Sequence, residues 1–307
     1  MQSSVSIIMA TFNRAHFIAE TIESIQKQTF KNFECLIIDD GSTDNTFEIV
    51  QPVIETDQRF KYFKRTEKYK KGLPGSRNYG LDLAKGDFIV FFDDDDCIHS
   101  KNLEINTKIL ETEGIDFCSY QKKPFFDKLP KEQDEESIII ENVSSENVFQ
   151  VISGQISIAS CTVLWKKNCF ENIRFNENLM YAEEWECYTR IISNQFRGVQ
   201  INNILYFNRK HSNSNTGEFY SNNSIQRKSK NDAVLLIAKN LNSKKLISTD
   251  IIRYFVQVSY KFRDYKLFQH LMKELNLPFL KRFYWNIYYQ LLQLKKKIAK
   301  TKKKIQQ

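Results

Sequence analysis

Phe88-Ile89-Val90-Phe91-Phe92-Asp93-Asp94-Asp95-Asp96 joins an uninterrupted apolar run to four consecutive aspartates. An apolar run with no polar alternation predicts a strand buried on both faces, the kind found inside parallel sheets. Four adjacent carboxylates repel one another and raise one another's pKa unless a cation compensates. Hard divalent cations such as Mg²⁺ bind through one or two carboxylates plus substrate phosphates, and a loop at a strand end suits that use. The competing reading is an acidic loop that favours the start of a helix near Ser100.

The same grammar recurs toward the N-terminus. Val5-Ser6-Ile7-Ile8-Met9-Ala10 is a β-rich run closed by Thr11-Phe12-Asn13-Arg14, and Phe17, Ile18, Thr21, Ile22 and Ile25 follow at helical spacing. Phe33 to Ile38 predicts a second strand, ending in Asp39-Asp40-Gly41-Ser42-Thr43-Asp44 before a helical stretch through Ile49. Arg59 to Lys64 predicts a third, short strand, and Gly75 to Ala84 a helix leading into Phe88. Buried strands alternating with amphipathic helices predict an α/β fold with a mostly parallel sheet covered on both faces, binding ligands at the carboxyl ends of its strands.

At those ends, Asp40 can accept hydrogen bonds from a ribose or a base, whereas capping a turn suits Asp39, with Ser42 and Asp44 able to finish it. Gly75-Ser76-Arg77-Asn78 sets a permanent cation near a helix start, where a guanidinium can meet a diphosphate through bidentate contacts. Beyond Asn102 the pattern is less regular: Lys131 to Glu136 reads as an acidic loop, Cys161 to Trp165 as a strand, Glu183 to Ile192 as a helix. Glu183-Glu184-Trp185-Glu186 offers carboxylates beside an aromatic that can desolvate one of them into the general-base range, or else a plain acidic helix start. His211 is a further candidate for a metal or phosphate, against the reading of an ordinary loop histidine.

In 307 residues with 41% hydrophobic and 27% charged side chains, nine Gly and five Pro leave little room for low-complexity linkers. The formal charge of +8 is uneven. No acidic residue follows Glu274, while Lys281, Arg282, Lys295, Lys296, Lys297, Lys300, Lys302, Lys303 and Lys304 lie beyond it, so residues 1 to 274 are close to neutral. The chain reads as almost entirely helical from Ser224, and the tail sets Leu280, Tyr284, Ile287, Tyr288, Leu291 and Ile298 at helical spacing beside its basic residues and Trp285. That composition predicts a helix in a membrane interface attracted to anionic lipid, or one packed on the body with a solvated polylysine end. Six cysteines without a CxxC pair read as reduced and mostly buried. The first apolar run lacks the layout of a secretory signal, and no run of 18 apolar residues occurs, which predicts a cytoplasmic protein, peripheral at a membrane if the tail binds one.

Taken together, these segments resemble the inverting glycosyltransferases of family 2. The likeness runs through Val5 to Arg14, Gln28-Thr29-Phe30-Lys31-Asn32-Phe33-Glu34, Ile38 to Asp44, Gly75-Ser76-Arg77-Asn78-Tyr79-Gly80 and Phe91 to Asp96, with Glu183 to Glu186 and the Arg209/His211 loop beyond. It implies a GT-A fold with a C-terminal helical extension: residues 1–105 for the nucleotide-sugar, 106–220 for the acceptor, 221–307 for the extension. It implies a donor site of Ala10, Thr11, Phe12, Asn13, Asp40, Arg77, Asp93 and Asp94, Asp40 reading the base of a UDP-sugar and Arg77 meeting its phosphates. Asp95, with His211, would hold Mg²⁺ or Mn²⁺, and Glu184 or Glu183 would deprotonate the acceptor, a saccharide that is free or lipid-linked, as in bacterial surface-polysaccharide assembly. Two departures stand out. The family usually has Asp at the position of Glu184 and a small residue at that of Asp94.

Other classes fit less well. A metal-dependent nucleotidyltransferase would carry a Gly-rich basic loop after its first strand, and Ala10-Thr11-Phe12-Asn13 is not one; nor is there a dinucleotide-binding GxGxxG there. A nucleic-acid-binding protein with a basic arm would want a basic face on a body that is near neutral.

Overall fold

The computed structural model of the protein describes residues 3–112, 114–132, 138–210 and 224–305. The early apolar runs form β1 (Val5–Thr11), β2 (Phe33–Asp39), β3 (Phe60–Lys64) and β4 (Phe88–Asp93), separated by α1 (Ile18–Gln26), α2 (Thr46–Thr56) and α3 (Leu73–Leu83). They lie in the order β3-β2-β1-β4, and every pairing among them is parallel. Alternate residues of β1 feed two cores. Val5, Ile7 and Met9 pack with Ile18, Ile22 and Ile25 of α1, while Ile8 packs in a second cluster with Leu81 of α3. Both faces are therefore covered, which is why these strands are apolar without alternation, each fully buried aliphatic side chain contributing about 1.5–3 kcal/mol.

One helix lies very close to the sheet. A Cβ on Gly80 would stand 2.4 Å from Ile8 Cγ2, so the absence of a side chain lets α3 settle on β1. Register then places the loops: Ala10 is opposite Asp93, and Thr11 opposite Asp39, so three polar strand ends come side by side.

The rest of the sheet departs from the sequence reading. It is built from β5 (Cys97–Ile98), β6 (Phe117–Phe125), β7 (Ile140–Val143), β8 (Val163–Lys166) and β9 (Gly198–Arg209), with α4 (Asn102–Leu110), α5 (Val148–Ser153) and α6 (Glu183–Ser193). The order continues β4-β8-β6-β9-β5, with β7 also on β9. β6 and β9 are parallel, whereas β4–β8, β6–β8, β7–β9 and β5–β9 are antiparallel, so the sheet is mixed. A strand and a helix were expected near β8 and α6 and are present. β6, β7 and β9 were not expected: β6 runs from buried Phe117 into exposed Lys122 and Lys123, and β9 carries Gln200, Asn202 and Asn203. Half-polar strands give no unbroken apolar run to read.

The chain divides into two compact units, Met1–Ser229 and Lys230–Gln307. Beyond the sheet, α7 (Ser224–Ser243), α8 (Thr249–Lys261), α9 (Tyr265–Glu274) and α10 (Phe279–Ile305) bear out the helical reading. Two starts are capped by side chains: Ser248 Oγ accepts from the Ile251 N–H (3.2 Å) and Asp264 Oδ1 from that of Leu267 (2.9 Å). No helix among the described residues is long and apolar enough to cross a membrane. All six cysteines are buried.

Candidate active site

The three strand ends differ in what they do. After β1, Asn13 takes a positive φ of 55°. Its N–H donates to Ser42 Oγ (2.9 Å) and its Oδ1 accepts from the Thr43 N–H (2.8 Å), which ties the β1 loop to the β2 loop. Asp39 caps the turn, accepting from the Ser42 N–H (2.9 Å) and hydroxyl (2.6 Å). Asp40 points elsewhere. One of its oxygens accepts from Arg65 Nε and the other from the Gly72 N–H (2.9 Å), so two loops fix the carboxylate at the edge of a cleft.

The four aspartates are held by different partners. Asp93 pairs with Arg77 (3.2 Å), and Arg14 Nε lies 3.3 Å from Asp94 and 3.8 Å from Asp95. Asp96 is buried and accepts from the Arg209 N–H (2.7 Å). Burial, then the charge of Asp95, pushes Asp94 up to about 7, with Arg14 opposing. Burial, then Asp93 and Asp95, pushes Asp96 up to about 8. Asp93 is also raised by burial, against the pull of Arg77. Negative charge is thus crowded here beyond what the nearby cations neutralise.

That arrangement fits a divalent cation. Oxygens of Asp93 and Asp96 and the sulfur of Cys161 all lie within 4.8 Å of one another. Burial pushes the Cys161 thiol far up, so the sulfur stays protonated and the oxygens are the useful donors, as Mg²⁺ or Mn²⁺ prefers. Asp95, the ligand expected from the sequence, lines the same cleft.

Across from the aspartates stands the start of α6. Ala182, the residue before it, has a left-handed φ of 64°, uncommon for a residue with a Cβ and of the kind that gathers at functional sites. Glu183 is buried and bound by Arg77 (3.1 Å). Burial, then Glu184, pushes its carboxyl up to about 8, with Arg77 opposing. Arg77 itself is only 2% exposed, hydrogen-bonded also to Ser160 Oγ (3.1 Å) and placed over the rings of Phe91 and Phe175. Glu184 is half-buried and faces the cleft. Trp185 Nε1 donates to the Ile152 carbonyl (3.3 Å), which fixes its ring.

The cleft has a volume of about 720 Å³. Ala10, Thr11, Phe12, Asp40, Arg77, Asp93, Asp94, Asp95, Glu183 and Glu184 all line it. Asn13 does not; it joins the loops behind. His211 lies outside the described residues. Lys122, Ser160 and Cys161 also line it, and so does Arg209. Arg209 carried a signal, its place beside His211 in the segment that resembles the family, and it ends β9; Lys122 sits in a strand whose polar end reads as surface.

A family model described as Glycosyl transferase family 2 matches residues 6–170. A GalNAc(5)-diNAcBac-PP-undecaprenol beta-1,3-glucosyltransferase of Campylobacter jejuni is 36% identical over 183 residues, 59% of this chain and 57% of that protein. An uncharacterized glycosyltransferase of Rickettsia felis is 35% identical over 204 residues, 64% of this chain and 32% of that protein. The chain thus spans about a third of the length of the Rickettsia relative and just over half that of the Campylobacter one. Among solved structures, S. aureus TarS 1-349 in complex with UDP-GlcNAc superposes with a TM-score of 0.69 at 21% identity, covering 88% of this chain and 79% of that fragment. The mannosyltransferase PcManGT of Pyrobaculum calidifontis, in complex with GDP-Man and Mn²⁺, does so with a TM-score of 0.54 at 17% identity, covering 80% and 63%. At such identities the likeness carries the fold.

Proposed function

This chain belongs to glycosyl transferase family 2 and has the GT-A fold, and from that premise we propose that it moves a sugar from a UDP-sugar to an acceptor hydroxyl with inversion. The observation that carries this reading is the meeting of Phe12, Asp40, the aspartates 93 to 96 and Glu184 around one cleft at the carboxyl ends of β1, β2 and β4. We assign residues 1–105 to the donor, 106–220 to the acceptor and 221–307 to an extension.

Asp40 is presented to the base, its carboxylate held by Arg65 and Gly72. Arg77 acts on the donor side by fixing Asp93 and Glu183 together. Asp95, with Asp93 and Asp96 beside it and His211 a further candidate, would hold Mg²⁺ or Mn²⁺, which supplies neutralisation of the leaving diphosphate. Of the two glutamates, Glu184 is the general base, because Glu183 is buried and committed to Arg77. The acceptor oxygen gives its proton to Glu184 and attacks the anomeric carbon; the bond to the diphosphate breaks on the opposite face and its electron pair leaves with the nucleotide.

The acceptor we propose is a saccharide carried on a lipid diphosphate, in bacterial surface-polysaccharide assembly, a reading supported by the name of the Campylobacter relative. Such an acceptor sits in a bilayer, so the protein would work at the cytoplasmic face of the plasma membrane.

The test is thermal shift with UDP, UDP-sugars and GDP-mannose, with and without Mn²⁺. A ligand at 100 times its Kd adds about 2.7 kcal/mol to the native state. UDP-ligands should raise Tm in a Mn²⁺-dependent way, and Asp95→Ala should remove both that dependence and measurable transfer. A shift with GDP-mannose alone would reassign the donor, and no shift with any of them would overturn the reading.

A further inference from the structure

The helix α10 has two opposite apolar faces, and one of them is exposed among the described residues. Trp285 and Tyr289 are buried, 3% and 2% exposed, with the Tyr289 ring stacked on Phe268 of α9 at 4.5 Å and near Tyr265 at 5.4 Å. That contact holds the helix to its own unit. Leu280, Tyr284, Ile287, Leu291 and Leu294, spaced by alternating fours and threes, are each 45–77% exposed. Phe279 and Phe283, also exposed, widen the stripe to roughly 140° of arc at the helical 100° per residue. Large side chains exposed in a row mark a surface that meets another phase or another molecule.

The spacing by itself would also suit a coiled coil with a second copy, but a coiled-coil seam is narrower and is flanked by charges of both signs. Here the flanking charge has one sign. Lys281 and Arg282 lie at the start of the helix, Lys295, Lys296 and Lys297 follow Leu294, and α10 holds no Asp or Glu at all. Two such helices would repel in either orientation, whereas an anionic surface attracts both ends. We infer that this face of α10 lies in the headgroup layer of a bilayer containing anionic phospholipid. The basic residues are attracted to such a surface, and the apolar stripe inserts between headgroups without spanning. The inference extends the peripheral placement above by naming the surface that makes it, and it uses no residue of the cleft.

The experiment is flotation of the full chain with vesicles of phosphatidylglycerol and phosphatidylcholine, and with phosphatidylcholine alone. Wild type should float with the anionic vesicles, weakly with neutral ones, and less as salt rises from about 0.1 M to about 0.5 M. Ile287→Glu/Leu291→Glu should cut partitioning about tenfold or more. Lys281→Glu/Arg282→Glu, which removes no apolar contact, should cut it chiefly on anionic vesicles, and it carries the test if the first variant melts early. No flotation of wild type would overturn the inference, as would flotation indifferent to both variants. A concentration-dependent dimer, lost in Ile287→Glu/Leu291→Glu and with no vesicle binding, would give the face to a second copy instead. Nucleotide-dependent thermal shifts of these variants should match wild type, so a failure here and a failure of the transfer reading are told apart.

Discussion

The cleft has two walls, built by two halves of one sheet in different ways. In the parallel half, three strands deliver their lining residues at their own carboxyl ends: Ala10, Thr11, Phe12 and Arg14 at the end of β1, Asp40 just after β2, Asp93 to Asp96 at the end of β4. In the mixed half, Lys122 comes from within β6, Cys161 from the turn before β8, Glu184 from the start of α6 and Arg209 from the end of β9. A parallel βα repeat ties function to a local pattern, whereas a mixed sheet places it by pairings between distant segments.

The largest effect that would break this division of labour lies in the mixed half. Glu184→Gln should lower kcat by about 10²–10⁴-fold while the Kd for UDP stays put, as expected when a general base is removed. Wild-type turnover would move the base elsewhere, with Glu183 next in line. On the parallel wall, Asp40→Asn should act on binding. It leaves Arg65 without its ion pair and would weaken the contact proposed to the base, so the KM for the donor should rise about tenfold or more with kcat little changed. If kcat fell and KM held, Asp40 would belong to the chemistry and the two walls would not divide as described.

Smaller effects probe how the walls are held. Gly80→Ala would place a Cβ 2.4 Å from Ile8 Cγ2, and overpacking of that kind costs about 1–3 kcal/mol, readable as a lower urea midpoint. The smallest concerns Glu183, raised by burial from 4.5 to about 8. A carboxyl raised on folding contributes stability that is fully present below its ordinary value and is lost as pH rises through about 8. Tm should therefore fall between about pH 5 and pH 8, and Glu183→Gln should make that fall shallower. An unchanged slope would assign it to Asp94 and Asp96, which are raised in the same direction.

The sequence by itself determined the parallel half and its motifs, because strands buried on both faces must be apolar throughout and their polar ends then stand out. It also separated Asp39 from Asp40 in kind, and it marked the amphipathic, basic course of α10. It did not reveal β6, β7 or β9, since a strand with an exposed polar stretch, like β6, or with buried amides such as Asn203 and Asn208 of β9, looks like loop until its partners are known. Nor did it choose between Glu183 and Glu184. Adjacent residues on a helix point in different directions, and only the fold shows that, of two glutamates lining the cleft, Glu183 is buried and paired with Arg77 while Glu184 is half-buried. The same holds for Tyr289 and Ile287: composition made both apolar, and packing against Phe268 of α9 decided which is buried and which is left at the surface.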